Sequence, residues 1–266
     1  MNYPIIDCHC HIYPDKIAAK AAAATGKFYG INMYFNGTAD ELKTAGSEAG
    51  INHYVVFSVA TTPKQVSSIN NFVADLVAEN PSSMTGLGTL HPDSTDLKGD
   101  VQRIIELGLH GVKLHPDIQG FKIDDYRCLK IYELCEGRLP ILMHTGDKRY
   151  DMSNPNRLKP ILETYTDLTV IAAHLGGYSV WDDAVSELAD FKNIYFDSSS
   201  SLAFLEKEKA VEIIRRYGAD KVMFGVDYPM WSPKEEVQRF LDLGLSHEEN
   251  EKILYKNAAN FFKITV

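Results

Sequence analysis

Two histidines near the start of the chain have the spacing of metal ligands. His9 and His11 lie in the segment IIDCHCH, residues 5–11. In a strand, residues two apart point to the same face with Cα atoms about 6.5 Å apart, so both imidazoles can reach one ion at about 2.0–2.1 Å. Asp7 lies on that face as well, where it could orient a ligand. The pair alone is equally compatible with two half-buried surface histidines.

Three further ligand or acid–base side chains each follow an apolar run that is typical of a strand. His144 follows PILM, His174 follows VIAA and Asp227 follows VMFGV. In α/β enzymes the chemistry gathers where parallel strands end. Imidazoles and a carboxylate in this combination suit zinc, or manganese, iron or cobalt, and leave a position open for water or substrate. The sequence therefore predicts one divalent metal ion, with zinc as the first choice.

The strands that carry these residues belong to a predicted alternation of strands and helices. Eight strands are predicted, at residues 5–8, 54–59, 84–90, 111–115, 140–144, 169–174, 193–197 and 221–227. Helix-period segments between them include 101–109, 125–135, 158–164, 182–189, 205–217 and 233–243. Such alternation implies parallel strands joined by helical crossovers.

The number of strands and the placement of the polar residues favour a closed (β/α)₈ TIM barrel over an open sheet. Polar residues end strands from the first to the last, and only a closed ring brings those two together. The chain has 266 residues, close to the roughly 250 of one such barrel. We therefore expect a single domain spanning residues 1–266.

Five motifs in order along the chain resemble the amidohydrolase superfamily. They are DCHCH at 7–11, GVKLHP at 111–116, MHTG at 143–146, AHLGG at 173–177 and FGVDYP at 224–229. The similarity is to the branch that contains aminocarboxymuconate-semialdehyde decarboxylase, γ-resorcylate decarboxylase and metal-dependent hydrolases. It covers nearly the whole chain and is specific to fold and metal site rather than to substrate.

The resemblance assigns a role to each of the strand-end residues. It implies that His9, His11, His144 and Asp227 bind the ion, and that Asp227 can also accept a proton from water activated by the metal. His174 matches a histidine that contacts water or substrate without necessarily binding the ion. Chemistry agrees, because a zinc ion lowers the pKa of its water to about 7 and a neighbouring carboxylate or imidazole can then accept the proton.

Three cationic side chains are candidates for binding an anionic substrate. Lys148 and Arg149 follow His144 in the chain, and Arg149 offers the planar fork that fits a carboxylate. A solvated run of charges explains them equally well. Lys113 ends the fourth predicted strand, and in some branches of the superfamily a carboxylated lysine there bridges two metals; a salt-bridged lysine is the simpler interpretation.

Composition excludes several classes of partner. The net charge of −9 argues against nucleic acid, which needs a basic face. No apolar run approaches the ~18 residues of a membrane span, and no signal peptide is recognised, so a cytoplasmic location is expected. The four cysteines are expected to be reduced packing residues. The expected partner is a small-molecule substrate, and a homodimer is among the compatible assemblies.

Two reactions compete for this site. The first is hydrolysis, in which metal-activated water attacks the carbonyl of an amide, ester or lactone, with Asp227 and His174 as the acid–base groups. The second is decarboxylation of an unsaturated or aromatic carboxylate. Decarboxylase relatives hold the substrate with an arginine after the first strand, whereas the first arginine here is Arg103, so hydrolysis is favoured. A metal-free lactonase and a barrel that binds without turnover are further alternatives.

Overall fold

Short buried strands alternate with amphipathic helices along the chain, as the sequence predicts. The strands are β1 Ile6–His11, β2 His53–Phe57, β3 Met84–Gly86, β4 Gly88–Thr89, β5 Val112–Leu114, β6 Ile141–Met143, β7 Val170–Ala172, β8 Ile194–Asp197 and β9 Val222–Met223. The α-helices are α1 Ala18–Tyr29, α2 Ala39–Glu48, α3 Val66–Glu79, α4 Leu97–Glu106, α5 Pro116–Gln119, α6 Tyr126–Cys135, α7 Pro155–Thr164, α8 Trp181–Leu188, α9 Lys207–Tyr217, α10 Pro233–Leu241, α11 His247–Glu251 and α12 Asn257–Phe262.

The computed structural model describes residues 3–265. These residues fall into two units. The first contains the residues up to Val56, the segment Pro81–Thr85 and the residues from Ser198 onward. The second contains Phe57–Asn80 and Gly86–Asp197. The expectation of one domain over residues 1–266 stays a prediction.

In the second unit, consecutive strands pair in parallel. Strands β4 to β8 follow one another in chain order, and each pair is joined by a helical segment. At their carboxyl ends, Leu114 pairs with Met143, Met143 with Ala172, and Ala172 with Phe196. These strands therefore end level with one another. The same edge of this sheet carries the residues that follow β5, β6 and β7, together with the last residue of β8.

In the first unit, the opening strand pairs with a segment near the other end of the chain. Cys8 N–H donates to Phe224 O at 2.9 Å, and His11 N–H donates to Tyr228 O at 2.8 Å. Cys10 forms a parallel bridge with Tyr228. The first and last predicted strand segments therefore meet, as the closed ring required.

Helix packing follows the period of the apolar side chains. Helix α9 buries Ala210, Ile213, Ile214 and Tyr217, which recur at spacings of three and four residues and so form one stripe. Burial of a side chain as large as isoleucine or tyrosine stabilises the fold by about 1.5–3 kcal/mol. None of the helices formed by residues 3–265 combines the length and apolar character that crossing a bilayer needs.

The third and the last predicted strands form differently in the structure. The third predicted strand is interrupted at Leu87 and forms β3 and β4. The last predicted strand shortens to β9, and the residues after it pair with β1 through individual hydrogen bonds.

Candidate metal centre

His9, His11 and Asp227 present three ligand atoms to one point in the first unit. His9 and His11 lie two residues apart in β1, and the Asp227 N–H donates to His9 O at 3.0 Å. Asp227 Oδ1 lies 3.5 Å from His9 Nε2 and 3.6 Å from His11 Nε2. The pairing of β1 with the segment after β9 therefore places a carboxylate beside two imidazoles from the other end of the sequence.

These distances fit ligands that share a metal ion. At 3.5 and 3.6 Å the nitrogen–oxygen pairs are longer than ordinary N–H···O hydrogen bonds. Four ligands held tetrahedrally at about 2.1 Å from an ion lie about 3.4 Å from one another. Two imidazole nitrogens and one carboxylate oxygen are also a donor set for zinc and other first-row divalent ions. The residues present thus fit a divalent ion.

Hydrogen bonds fix the orientation of these ligands. Ser199 Oγ lies 3.1 Å from His9 Nδ1, and the Ser200 hydroxyl donates to Asp227 Oδ2. Asp7 Oδ1 accepts the backbone N–H groups of His9 at 3.0 Å and of Val226 at 2.9 Å. Asp7 therefore orients the site, as the sequence suggested, but it does so by holding the two backbone segments together.

A second set of ligand groups occurs in the second unit. His115, Asp117 and His144 bring their ligand atoms within 4.8 Å of one another. The His115 and His144 rings stack with centroids 3.9 Å apart, because each follows one of the paired residues Leu114 and Met143. Asp117 Oδ2 lies 3.4 Å from His144 Nε2.

His174 lies beyond the end of β7 and forms a hydrogen bond with His144. Its Nε2 lies 2.9 Å from His144 Nδ1. Its backbone has a φ of 60°, and its N–H donates to Asp197 Oδ1 at 3.1 Å while its carbonyl accepts Trp181 Nε1–H at 3.0 Å. If His144 bound an ion through Nε2, its Nδ1 would carry the proton and donate to His174. In that case Nε2 of His174 would accept the hydrogen bond, and its Nδ1 would carry the proton of that ring.

Asp117 is a buried carboxyl group beside His144 and Ser153. Burial raises the pKa of Asp117 to about 6, opposed by a hydrogen bond from Ser153. Among the residues that the structure describes, Asp117 Oδ1 has no hydrogen-bond partner. Sequence reasoning missed Asp117, although its position two residues after His115 was a signal. It also missed the serine run 198–201, which directly follows Asp197 at the end of β8.

The three cationic side chains proposed for substrate binding lie in different settings. Lys113 is fully buried in β5, and its Nζ lies 5.0 Å from the centre of the Phe57 ring. Arg149 forms a fork on the buried Asp147, with Nε to Oδ1 at 3.0 Å and Nη2 to Oδ2 at 2.7 Å. Lys148 is exposed. Substrate binding by Lys113, Lys148 and Arg149 stays a prediction.

Comparison with known proteins identifies relatives over most of the chain. A family model described as amidohydrolase matches residues 6–264. A 2-amino-3-carboxymuconate-6-semialdehyde decarboxylase of Dictyostelium discoideum is 36% identical over 70 residues, a match that covers 26% of this chain and only 20% of that protein. A γ-resorcylate decarboxylase of a Polaromonas strain is 22% identical in an alignment 249 residues long, and the alignment covers 73% of this chain and 75% of that protein.

Solved structures show the same fold. An uncharacterised TIM-barrel protein from Bordetella bronchiseptica aligns with a TM-score of 0.80 at 22% identity over 98% of both chains. A dihydroxybenzoic acid decarboxylase from Polaromonas, solved with manganese and the inhibitor 2-nitroresorcinol, aligns with a TM-score of 0.76 at 17% identity over 98% of this chain and 97% of that one. The predicted (β/α)₈ fold class is thereby confirmed.

Proposed function

The chain belongs to the amidohydrolase family, and we propose that it is a metal-dependent enzyme that removes carbon dioxide from a small unsaturated or aromatic carboxylate. The observation that carries the proposal is the meeting of His9, His11 and Asp227 at ligand distances in a chain whose curated relatives are decarboxylases. This reverses the order that the sequence favoured, in which hydrolysis came first.

We propose one divalent ion, with zinc first and manganese, iron or cobalt as alternatives. The nitrogen-rich donor set supports zinc, whereas a related decarboxylase structure contains manganese. The assignment of His144 as a further ligand and of His174 as an acid–base group was made from the sequence and stays part of the proposal.

Decarboxylation requires one carbon–carbon bond to break and one proton to be transferred to the substrate carbon. The bond between the substrate carbon and its carboxylate breaks, carbon dioxide leaves, and the electron pair on the carbon takes up a proton. A bound ion would supply Lewis-acid stabilisation of negative charge on substrate oxygens. We assign the proton transfer to Asp227, which would take the proton from water and pass it to the substrate carbon, with His174 assisting as a general acid–base group.

Hydrolysis of an amide, ester or lactone remains the second candidate. The observation in its favour is that the chain has no arginine before Arg103. The segment directly after β1 therefore offers no guanidinium that could hold a carboxylate as a fork. The same ligand cluster could serve either reaction, since family membership is a poor guide to reaction class.

Turnover in D₂O distinguishes the two reactions. Protein loaded with zinc or with manganese is incubated with a panel of hydroxybenzoates and unsaturated carboxylates, and in parallel with lactones, esters and amides. Decarboxylation releases carbon dioxide and leaves one deuterium on the carbon that lost it, which mass spectrometry detects. We expect this product from at least one carboxylate, with loss of turnover in His9→Ala combined with His11→Ala.

The control is His247→Ala, which removes an exposed histidine outside the cluster and should keep full turnover. Hydrolysis of a lactone, ester or amide without release of carbon dioxide from any carboxylate would contradict the proposal and favour the second candidate.

A further inference from the structure

We propose that Ser199 and Ser200 are positioning residues that aim His9 and Asp227 at the metal ion, and that Trp231 fixes the direction of the Ser200 hydroxyl. This inference rests on the metal site of the proposed function. It concerns the chain's own residues and is tested by metal binding rather than by turnover.

The hydrogen bonds of Ser200 have only one consistent direction. Trp231 Nε1 lies 2.8 Å from Ser200 Oγ, and an indole N–H can only donate. The single proton of the hydroxyl is then directed to the carboxylate oxygen Asp227 Oδ2, which is a stronger acceptor than the Met230 sulfur at 3.7 Å. The chain of donors therefore runs from Trp231 through Ser200 to Asp227.

The two carboxylate oxygens of Asp227 therefore have different contacts. Oδ2 accepts the Ser200 hydroxyl, whereas Oδ1 lies 3.5 and 3.6 Å from the Nε2 atoms of His9 and His11. Ser200 thus holds the carboxylate so that a single oxygen, Oδ1, is presented at the ligand cluster. Without the hydroxyl, the Asp227 carboxylate would lose a hydrogen bond that fixes the angle of its plane.

Ser199 acts on the histidine in a corresponding way. Its Oγ lies 3.1 Å from His9 Nδ1, and His9 Nε2 is the nitrogen that faces Asp227. When Nε2 serves as a ligand, Nδ1 carries the proton and donates to the serine. Two neighbouring hydroxyls therefore orient two ligands that lie 218 positions apart in the sequence, His9 and Asp227.

The backbone at Ser200 supports a role for its side chain. Its φ is 47°, and that of Asp227 is 70°. Both lie in the left-handed region, where a residue with a side chain is strained and glycine is not. Glycine would satisfy the backbone at Ser200, so the strained serine indicates that its hydroxyl is used.

Two substitutions separate the hydroxyl from the backbone strain. Ser200→Ala removes the hydroxyl and keeps the strain, whereas Ser200→Gly removes the hydroxyl and relieves the strain. Ser201→Ala is the matched control, because its hydroxyl is buried in the same run but donates to the backbone carbonyl of Ser199. Ser199→Ala tests the contact with His9.

Zinc affinity is measured on each full-length variant by competition with a chromophoric chelator. Loss of a group that orients a metal ligand usually weakens metal binding by about 10–100-fold. We expect a loss of that size for Ser200→Ala, Ser200→Gly and Ser199→Ala, and a change of less than about twofold for Ser201→Ala. Circular dichroism checks that each variant is folded.

Tryptophan fluorescence gives a second readout, which a general loss of stability would not mimic. The chain has two tryptophans, and Trp181→Phe leaves Trp231 as the sole emitter. Zinc binding at Asp227 should shift the Trp231 emission through the Ser200 bridge. In the same background, Ser200→Gly should abolish this shift even at zinc concentrations that saturate the site.

The outcomes distinguish this inference from the proposed function. If wild-type protein binds zinc, His9→Ala combined with His11→Ala abolishes binding, and Ser200→Gly binds as tightly as wild type, the positioning role is overturned and the metal site stands. Weakened binding in Ser200→Ala but not in Ser200→Gly would mean that the hydroxyl serves only to hold the strained backbone, and would also overturn its role in aiming Asp227. Failure of the wild-type protein to bind zinc or manganese would overturn both.

Discussion

Glu236 is a buried acid whose ionisation should make the protein less stable as the pH rises. The side chain is fully buried in the first turn of α10, and Arg239 Nη1 donates to its Oε1. Burial raises the pKa of Glu236 from 4.5 to about 7, and the nearby Arg239 offsets only part of this effect. Among the described residues, no hydrogen bond reaches its Oε2. The folded protein therefore favours the protonated acid.

The size of the effect follows from the two pKa values. Between pH 4.5 and about 7 the unfolded chain loses this proton before the folded protein does, so the free energy of unfolding falls as the pH rises. A pKa raised from 4.5 to about 7 corresponds to about 3 kcal/mol once the pH is well above 7. Most of this loss, about 2–3 kcal/mol, falls between pH 5 and pH 8.

Glu236→Gln removes the titrating group and keeps an oxygen that can accept from Arg239. In urea denaturation we expect the free energy of unfolding of Glu236→Gln to fall less than that of wild type between pH 5 and pH 8, by about 2–3 kcal/mol. The control is Glu235→Gln, which changes a half-exposed neighbour. Parallel profiles for wild type and Glu236→Gln would refute the reasoning, because they would mean that Glu236 titrates alike in both states.

Three other substitutions test single features of the second unit. His174→Asn should retain the metal ion while lowering kcat by about 10²–10⁴-fold; metal content and turnover measured on one preparation check this, and loss of the ion in step with activity would make His174 a ligand. Asn70→Ala should destabilise by about 2–4 kcal/mol in urea, since Asn70 bonds both the N–H of Thr89 at 2.7 Å and its C=O at 3.1 Å. Gly146→Ala should destabilise by about 3 kcal/mol or more, because the added Cβ would lie 2.5 Å from the backbone carbonyl carbon of Gly177 and φ is 81°; Gly137→Ala, with a φ of 67° and open space around it, should lose only about 1–2 kcal/mol.

The sequence predicted the strands well because each is an apolar run bounded by polar residues. Strands β5 to β8 lie inside their predicted ranges, and the register that joins Leu114 to Met143 explains why His115 and His144 meet. The break at Leu87 was not predicted, because Met84–Leu90 is one continuous run of apolar, small and β-branched residues. Periodicity alone does not reveal where such a run changes its partner.

The candidate metal ligands of the first unit were predictable, whereas the groups that hold them were not. The spacing of His9 and His11 and the position of Asp227 after an apolar run are visible in the sequence. The serine run 198–201 carries no comparable signal, because buried serine hydroxyls bond locally to the backbone in many settings. Only the three-dimensional structure separates Ser199 and Ser200, which contact candidate ligands, from Ser201, which contacts a carbonyl.

His174 shows why a residue at a predicted strand end can still acquire its role from tertiary structure. Strand β7 ends at Ala172, so a regular continuation would give His174 the extended backbone of a strand. Instead its φ of 60° turns the chain, and its Nε2 meets His144 Nδ1 at 2.9 Å. A left-handed backbone at a non-glycine residue is strained by about 1–3 kcal/mol, and the bonds to Asp197 and Trp181 hold it there. Because a neutral imidazole carries one proton on its two nitrogens, the tautomer of His144 then decides which nitrogen of His174 remains able to accept a proton.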